Sequence, residues 1–270
     1  NINETSLNEI MFNPLLIFHY ILPLKYKFLP EAYVYLEKNR PVGAICVIPY
    51  GINDKRIEIK KLFFSEKSLD AASELVQYVV SKYKYMGAPS IVVKIDDYMK
   101  ELLNMFVTDC GFSNISYEKL WRIKDFKKLD YDEGLFRSFR ASDSKKVSKI
   151  YNQLLFSHFR PLLSSVPEDF NEKLCKGLSF DTSFKYTIID KKGKICGLIE
   201  IQTFDDLNYI VDFVLNSDTD INFGSILSFI YDKIKIRNNK FGLYVRTKLY
   251  IISNLNYEKA FLEYGYECVQ

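Results

Sequence analysis

Between Asn208 and Leu227 the sequence reads NYIVDFVLNSDTDINFGSIL, a strand, a polar loop and the start of a helix. Asp212 is the only ionisable side chain between Tyr209 and Leu215. In an otherwise apolar strand its carboxylate must be paired or solvated in a cleft, which makes it a candidate general base. Glu200, on the preceding hairpin, is second, and a plain solvent-facing strand residue is the alternative for Asp212. After the loop, Gly224 opens an apolar run at helical spacing, Ile226, Leu227, Phe229 and Ile230. The first amides of a helix lack internal partners and sit at the positive end of its dipole, so this turn suits an anionic phosphate. Many such turns carry a glycine and bind nothing.

The elements that must position these residues occur twice. In the second half a short strand ends at Phe139-Arg140, and Ser142-Asp143 caps a helix through Leu155. A helical stretch covers 168–178, and Tyr186 to Ile189 and Ile195 to Ile201 form a hairpin around Lys191-Lys192-Gly193-Lys194. The first half opens with apolar residues at helical intervals from Asn3 to Leu24, broken at Pro14. A hairpin follows (32–37 and 42–48), then a strand over 56–64 and a helix capped by Ser68 or Asp70. The half closes with a strand at 91–95, a helix over 97–110 ended by Gly111, and a strand over 114–123. Gly43 and Gly111 lie 68 positions apart, as do Gly197 and Gly265, in matching contexts. Order, context and spacing together predict a tandem repeat of one mixed α/β domain, at 1–128 and 135–270, joined by a charged linker near 124–134.

Composition narrows the function classes. With 37 basic and 34 acidic side chains, the net charge of +3 nominates neither a nucleic acid nor a polybasic membrane surface. Five cysteines without CxxC spacing and two distant histidines make a zinc site, a disulfide framework or a Cys/His pair hard to build. The apolar run 14–24 is interrupted by His19 and Pro23 and is shorter than the roughly 20 residues of a membrane span. No basic region precedes it, so a cytoplasmic protein with reduced thiols is expected, without metal.

Three segments of the second half carry a family resemblance: Phe139 to Asp143, Val214 to Leu227, and Ala260-Phe261-Leu262-Glu263-Tyr264-Gly265-Tyr266. They resemble the opening strand and cap, the acyl-CoA motif V-x-P-x-x-[QR]-x-x-G-x-[GA]-x-x-L, and the last-helix signature L-Y-E-K-x-G-F of the Gcn5-related N-acetyltransferase (GNAT) domain. The first half resembles a more diverged copy. The resemblance implies an α/β fold of two tandem acyltransferase domains, acetyl-CoA or another acyl-CoA as donor, and an amine on a small molecule or peptide as acceptor. It places Val214, Thr219, Asn222, Phe223, Gly224, Ser225, Asn254 and Phe261 at the cofactor, with the amides of 223–225 holding the pyrophosphate. Departures are plain: Asn216 stands for proline, Thr219 for Gln or Arg, Asn222 for the first glycine, and Asp218 and Asp220 would repel a pyrophosphate. Phe261 occupies the place of the usual acid tyrosine, and Tyr257, one helical turn earlier, is the candidate replacement.

Two readings follow: an N-acetyltransferase with its chemistry in the second domain, or a degenerate tandem fold serving as a scaffold or binding module. A two-domain aminoacyl or peptidyl transferase of FemABX type is a third. Only a few residues follow Gly265-Tyr266, so the second sheet should lack its closing strand. Either the sequence given stops short, or another segment pairs with that edge, a homodimer partner among them.

Overall fold

The computed structural model describes residues 31–49, 56–65, 69–171, 182–203, 205–216, 219–249, 251 and 257–269. The expected helix pair at 3–24 and the candidate Asn254 lie outside them. The chain divides into two compact units, 1–114 and 115–270.

In the first unit four strands pair in the order β1 (Glu31–Glu37), β2 (Arg40–Pro49), β3 (Ile57–Phe64) and β4 (Ile91–Val93), the last pair parallel. The β1–β2 turn uses Lys38 and Asn39, both at positive φ, a two-residue hairpin whose twist matches the strands it joins. Helix α1 (Leu69–Tyr85) buries Ala72, Leu75, Val76, Val79 and Tyr83 along one face, with Ile45, Val47, Ile57 and Ile59 in one core cluster. A short α2 (Lys100–Asn104) then widens into a π turn over Met105–Asp109, which sends Met105 and Phe106 into that core.

The second unit is built on seven strands in the order β11-β5-β10-β9-β8-β7-β6. Their ranges are β5 Glu118–Ile123, β6 Phe136–Ser138, β7 Thr182–Ile189, β8 Ile195–Thr203, β9 Asn208–Leu215, β10 Gly242–Lys248 and β11 Tyr266–Cys268. All neighbours are antiparallel except β9 and β10, which α5 (Phe223–Lys235) connects. A parallel pair needs such a crossover. Helix α5 buries Ile226, Leu227, Phe229, Ile230 and Ile234 in one core cluster with Val211, Phe213, Leu243 and Val245. Helices α3 (Ser144–Leu154) and α4 (Arg160–Leu163) precede β7, and α3 packs on β8 and β9; α6 (Tyr257–Glu263) precedes β11.

Strand β5 differs from expectation. The sequence reading counted it as the end of the first domain, whereas it lies between β10 and β11 of the second sheet. Trp121 explains the placement: it is 3% exposed, stacks on Phe261 with ring centroids 5.1 Å apart, and donates its indole N–H to Thr247 at 3.1 Å. A tryptophan that fills this core and satisfies its polar atom there fixes the strand's sheet. The expected lack of a closing strand is corrected as well: β11 follows α6 and pairs with β5, which itself fills the place beside β10. Residues 124–134 are likewise no free linker, since the amides of Lys124 and Asp125 bond the Gly265 carbonyl, Leu129 bonds Ser228, and Tyr131 bonds Asp232.

Candidate active site

Strands β9 and β10 run together only part of the way. Their pairing begins at Asn208↔Gly242 and stops at Val211↔Val245, while β9 continues to Leu215 and β10 to Lys248. Beyond that point β9 pairs only with β8, and β10 only with β5. The facing edges at 212–215 and 246–248 are therefore not joined to each other, and a backbone-like chain of amides can lie between parted strands.

Asp212 stands at the first position past the parting. Its Oδ1 is 3.0 Å from Lys248 Nζ and its Oδ2 is 3.4 Å from Arg246, with the carboxylate 15% exposed. Arg246 also approaches Glu118 of β5 at 3.8 Å, and Glu200, cross-strand from Asp212, is 3.3 Å from Lys185. Alternation along β9 puts Asp212 and Val214 on one face and Phe213 on the other. Val214 is buried opposite Leu198. On the other face Phe213, Phe223, Tyr257 and Phe261 form one aromatic group, in which Phe223 and Tyr257 stack at 4.3 Å and Phe261 is fully buried.

The loop and helix start are arranged differently. Thr219 donates its amide to the Asn216 carbonyl at 3.3 Å, and its buried hydroxyl has no hydrogen-bond partner among the described residues. Asn222 caps α5: its Oδ1 accepts from the Gly224 amide at 2.8 Å, and its carbonyl accepts from the Ser225 amide at 3.1 Å. Tyr264 donates its hydroxyl to the same Oδ1 at 3.3 Å and lays its ring over Gly224. A Cβ on Gly224 would meet that ring at 2.5 Å and Leu129 at 2.7 Å, so the chain's own packing accounts for this glycine. The Ser225 hydroxyl bonds the Asp130 carbonyl.

The two ends of an acyl-CoA therefore fare differently. The parted strands fit the amide-bearing arm. The helix start, as it stands, does not fit a pyrophosphate, because Asn222 already holds the amides of 224 and 225 and Tyr264 covers them.

Of the residues expected from sequence, Asn222, Phe223, Gly224 and Ser225 meet at the helix start, and Phe223, Tyr257 and Phe261 in the aromatic group. Asp212 stands apart on the opposite face at the parting. Lys248, Arg246, Glu118 and Tyr264 escaped the sequence reading. In YVRTK, Arg246 and Lys248 alternate on one strand face, but only the register with β9 brings them to Asp212.

No protein-family model and no curated protein sequence matches this chain. Solved structures do. A tandem GNAT protein from the clavulanic acid biosynthesis pathway, solved without AcCoA, superposes with a TM-score of 0.58 at 8% identity, covering 88% of this chain and 79% of that one. A GCN5-related N-acetyltransferase from Sphaerobacter thermophilus gives 0.59 at 10% identity over 88% and 77%, and one from Anabaena variabilis 0.54 at 15% over 99% and 68%. Identities this low speak for architecture alone, and the architecture agrees over most of the chain: its fold is the tandem fold of the GCN5-related N-acetyltransferases.

Proposed function

We propose that the second unit transfers an acyl group from an acyl-CoA thioester to an amine. The observation that carries this reading is the parting of β9 and β10 at Val211 and Val245, with Asp212 placed at its start. The open edges of 212–215 and 246–248 would hold the amides of the pantetheine arm as a strand holds its neighbour. Asp212 would orient the acceptor and take its ammonium proton, directly or through a water. Lys248 sets a primary ammonium 3.0 Å from this carboxylate, which supports that role. The aromatic group of Phe213, Phe223, Tyr257 and Phe261 closes one side of the parting to water, and the Tyr257 phenol is the proton donor proposed for the departing thiolate.

The test is thermal unfolding followed through Trp121, the single tryptophan, buried in this unit. Acetyl-CoA at a hundredfold its Kd stabilises a protein by about 2.7 kcal/mol, which is readily measured. Absence of any shift at millimolar acetyl-CoA would leave a tandem fold that serves as a scaffold. With binding established, Asp212→Asn should retain the shift and lose transfer.

A further inference from the structure

Lys248 occupies the place that an acceptor amine must take. It lies on the part of β10 beyond Val245, where the neighbouring parallel strand has already turned away, and its ammonium is 3.0 Å from Asp212 Oδ1 with the side chain 21% exposed. A second cation at this carboxylate, Arg246, carries a delocalised guanidinium, which is no nucleophile. Lys185 of β7, in register with Glu200, is paired with that carboxylate and donates to the Phe170 carbonyl at 2.9 Å. Among the described residues Lys248 thus joins an amine, a carboxylate that can take its proton, and the edge of the proposed thioester channel.

We propose that Lys248 is an acceptor in its own right, so that the chain acylates itself on this side chain; the proposal rests on the acyltransferase reading above. Asp212 takes one proton from the Lys248 ammonium and later yields it to solvent. The freed Nζ lone pair forms a bond to the thioester carbonyl carbon, the carbon–sulfur bond breaks with its electron pair going to sulfur, and the second proton lost by the nitrogen ends on the thiolate. The products are an amide at Lys248, a free thiol and one released proton. The amide carries no charge, so Asp212 keeps Arg246 as its cation at this edge while the acylated side chain fills the acceptor position. Self-acylation is therefore self-limiting at one group per chain and competes with any free amine.

The experiment incubates the full chain with acetyl-CoA and no added amine. Intact mass and peptide mapping read the modification, and thermal shift reads binding in the same samples. One acetyl group at Lys248 is expected, absent from Lys248→Arg and formed about a hundredfold more slowly by Asp212→Asn. The Trp121 unfolding transition verifies that both variants are folded. A thermal shift with acetyl groups scattered over exposed lysines such as Lys191 and Lys192, equally in parent and Lys248→Arg, overturns the self-acylation and leaves the acyltransferase reading standing. Neither shift nor modification overturns both.

Discussion

Replacing Asp143 by asparagine should destabilise the second unit at neutral pH and matter little in acid. Asp143, 4% exposed, accepts both Arg137 nitrogens at 2.7 and 2.8 Å, the Arg140 amide at 3.0 Å and the Thr187 hydroxyl at 2.8 Å. Burial, the largest single influence, pushes its carboxyl up, but the hydrogen bonds from Arg137, Arg140 and Thr187 with the Arg137 charge outweigh it and hold the group at about 2. Against an unfolded value of about 3.9, this depression is worth about 2.6 kcal/mol at neutral pH. Because the folded value is the lower one, the contribution is complete above pH 4 and disappears as pH falls through 2. Urea unfolding of parent and Asp143→Asn, followed by Trp121 fluorescence, should therefore differ by about 2 to 3 kcal/mol at pH 7, narrowing toward zero near pH 2. Taking the difference removes the titration of other carboxylates common to both proteins. A gap that stays constant from pH 7 to pH 2 would refute the assignment, since a neutral carboxyl and an amide differ little in charge.

Other consequences follow from particular contacts. Tyr266 buries its hydroxyl in the core without a hydrogen-bond partner among the described residues, and burial pushes its phenol pKa far up, so Tyr266→Phe should gain about 1 kcal/mol and raise Tm by about 2 to 4 °C; unchanged stability would mean that the hydroxyl is satisfied in solution. Asn222→Gly frees the Gly224 amide at a cost of only a few tenths of a kcal/mol to the cap, and should tighten CoA about tenfold by calorimetry, about 1.4 kcal/mol; equal affinity of parent and variant would show that the cap does not compete with the ligand. Gly224→Ala should displace the ends of the Tyr264 and Leu129 side chains that its methyl would meet and leave the protein folded, with stability changed by about 1 kcal/mol or less in urea unfolding; a variant that does not fold would contradict this packing.

The repeat was legible because it is written in local signals. Hairpins at 31–49 and 182–203, helix α1 with its apolar stripe, and the glycines at 111 and 265, both at positive φ, all follow from near neighbours in sequence. The location of β5 was not legible. A strand's own pattern says that it pairs, and says nothing of which sheet it joins; Trp121 chooses by filling space between Thr247 and Phe261, more than 120 residues away. The same limit applies at the site. Asp212 stood out as a charge in an apolar strand, but its partners Lys248 and Arg246 come from the far side of a crossover. Gly224 matched the motif, yet the structure attributes its small size to a tyrosine ring, a contact that no spacing rule contains.

The proposed activity requires the gap between β9 and β10 to receive the arm of an acyl-CoA. A crystal structure of the chain grown with CoA addresses it directly. The pantetheine arm should lie between 212–215 and 246–248, its thiol near Asp212, and the Tyr264 ring should be displaced from Gly224 wherever the pyrophosphate reaches the start of α5. A gap closed by side chains at saturating CoA, or the ligand bound elsewhere, would contradict it.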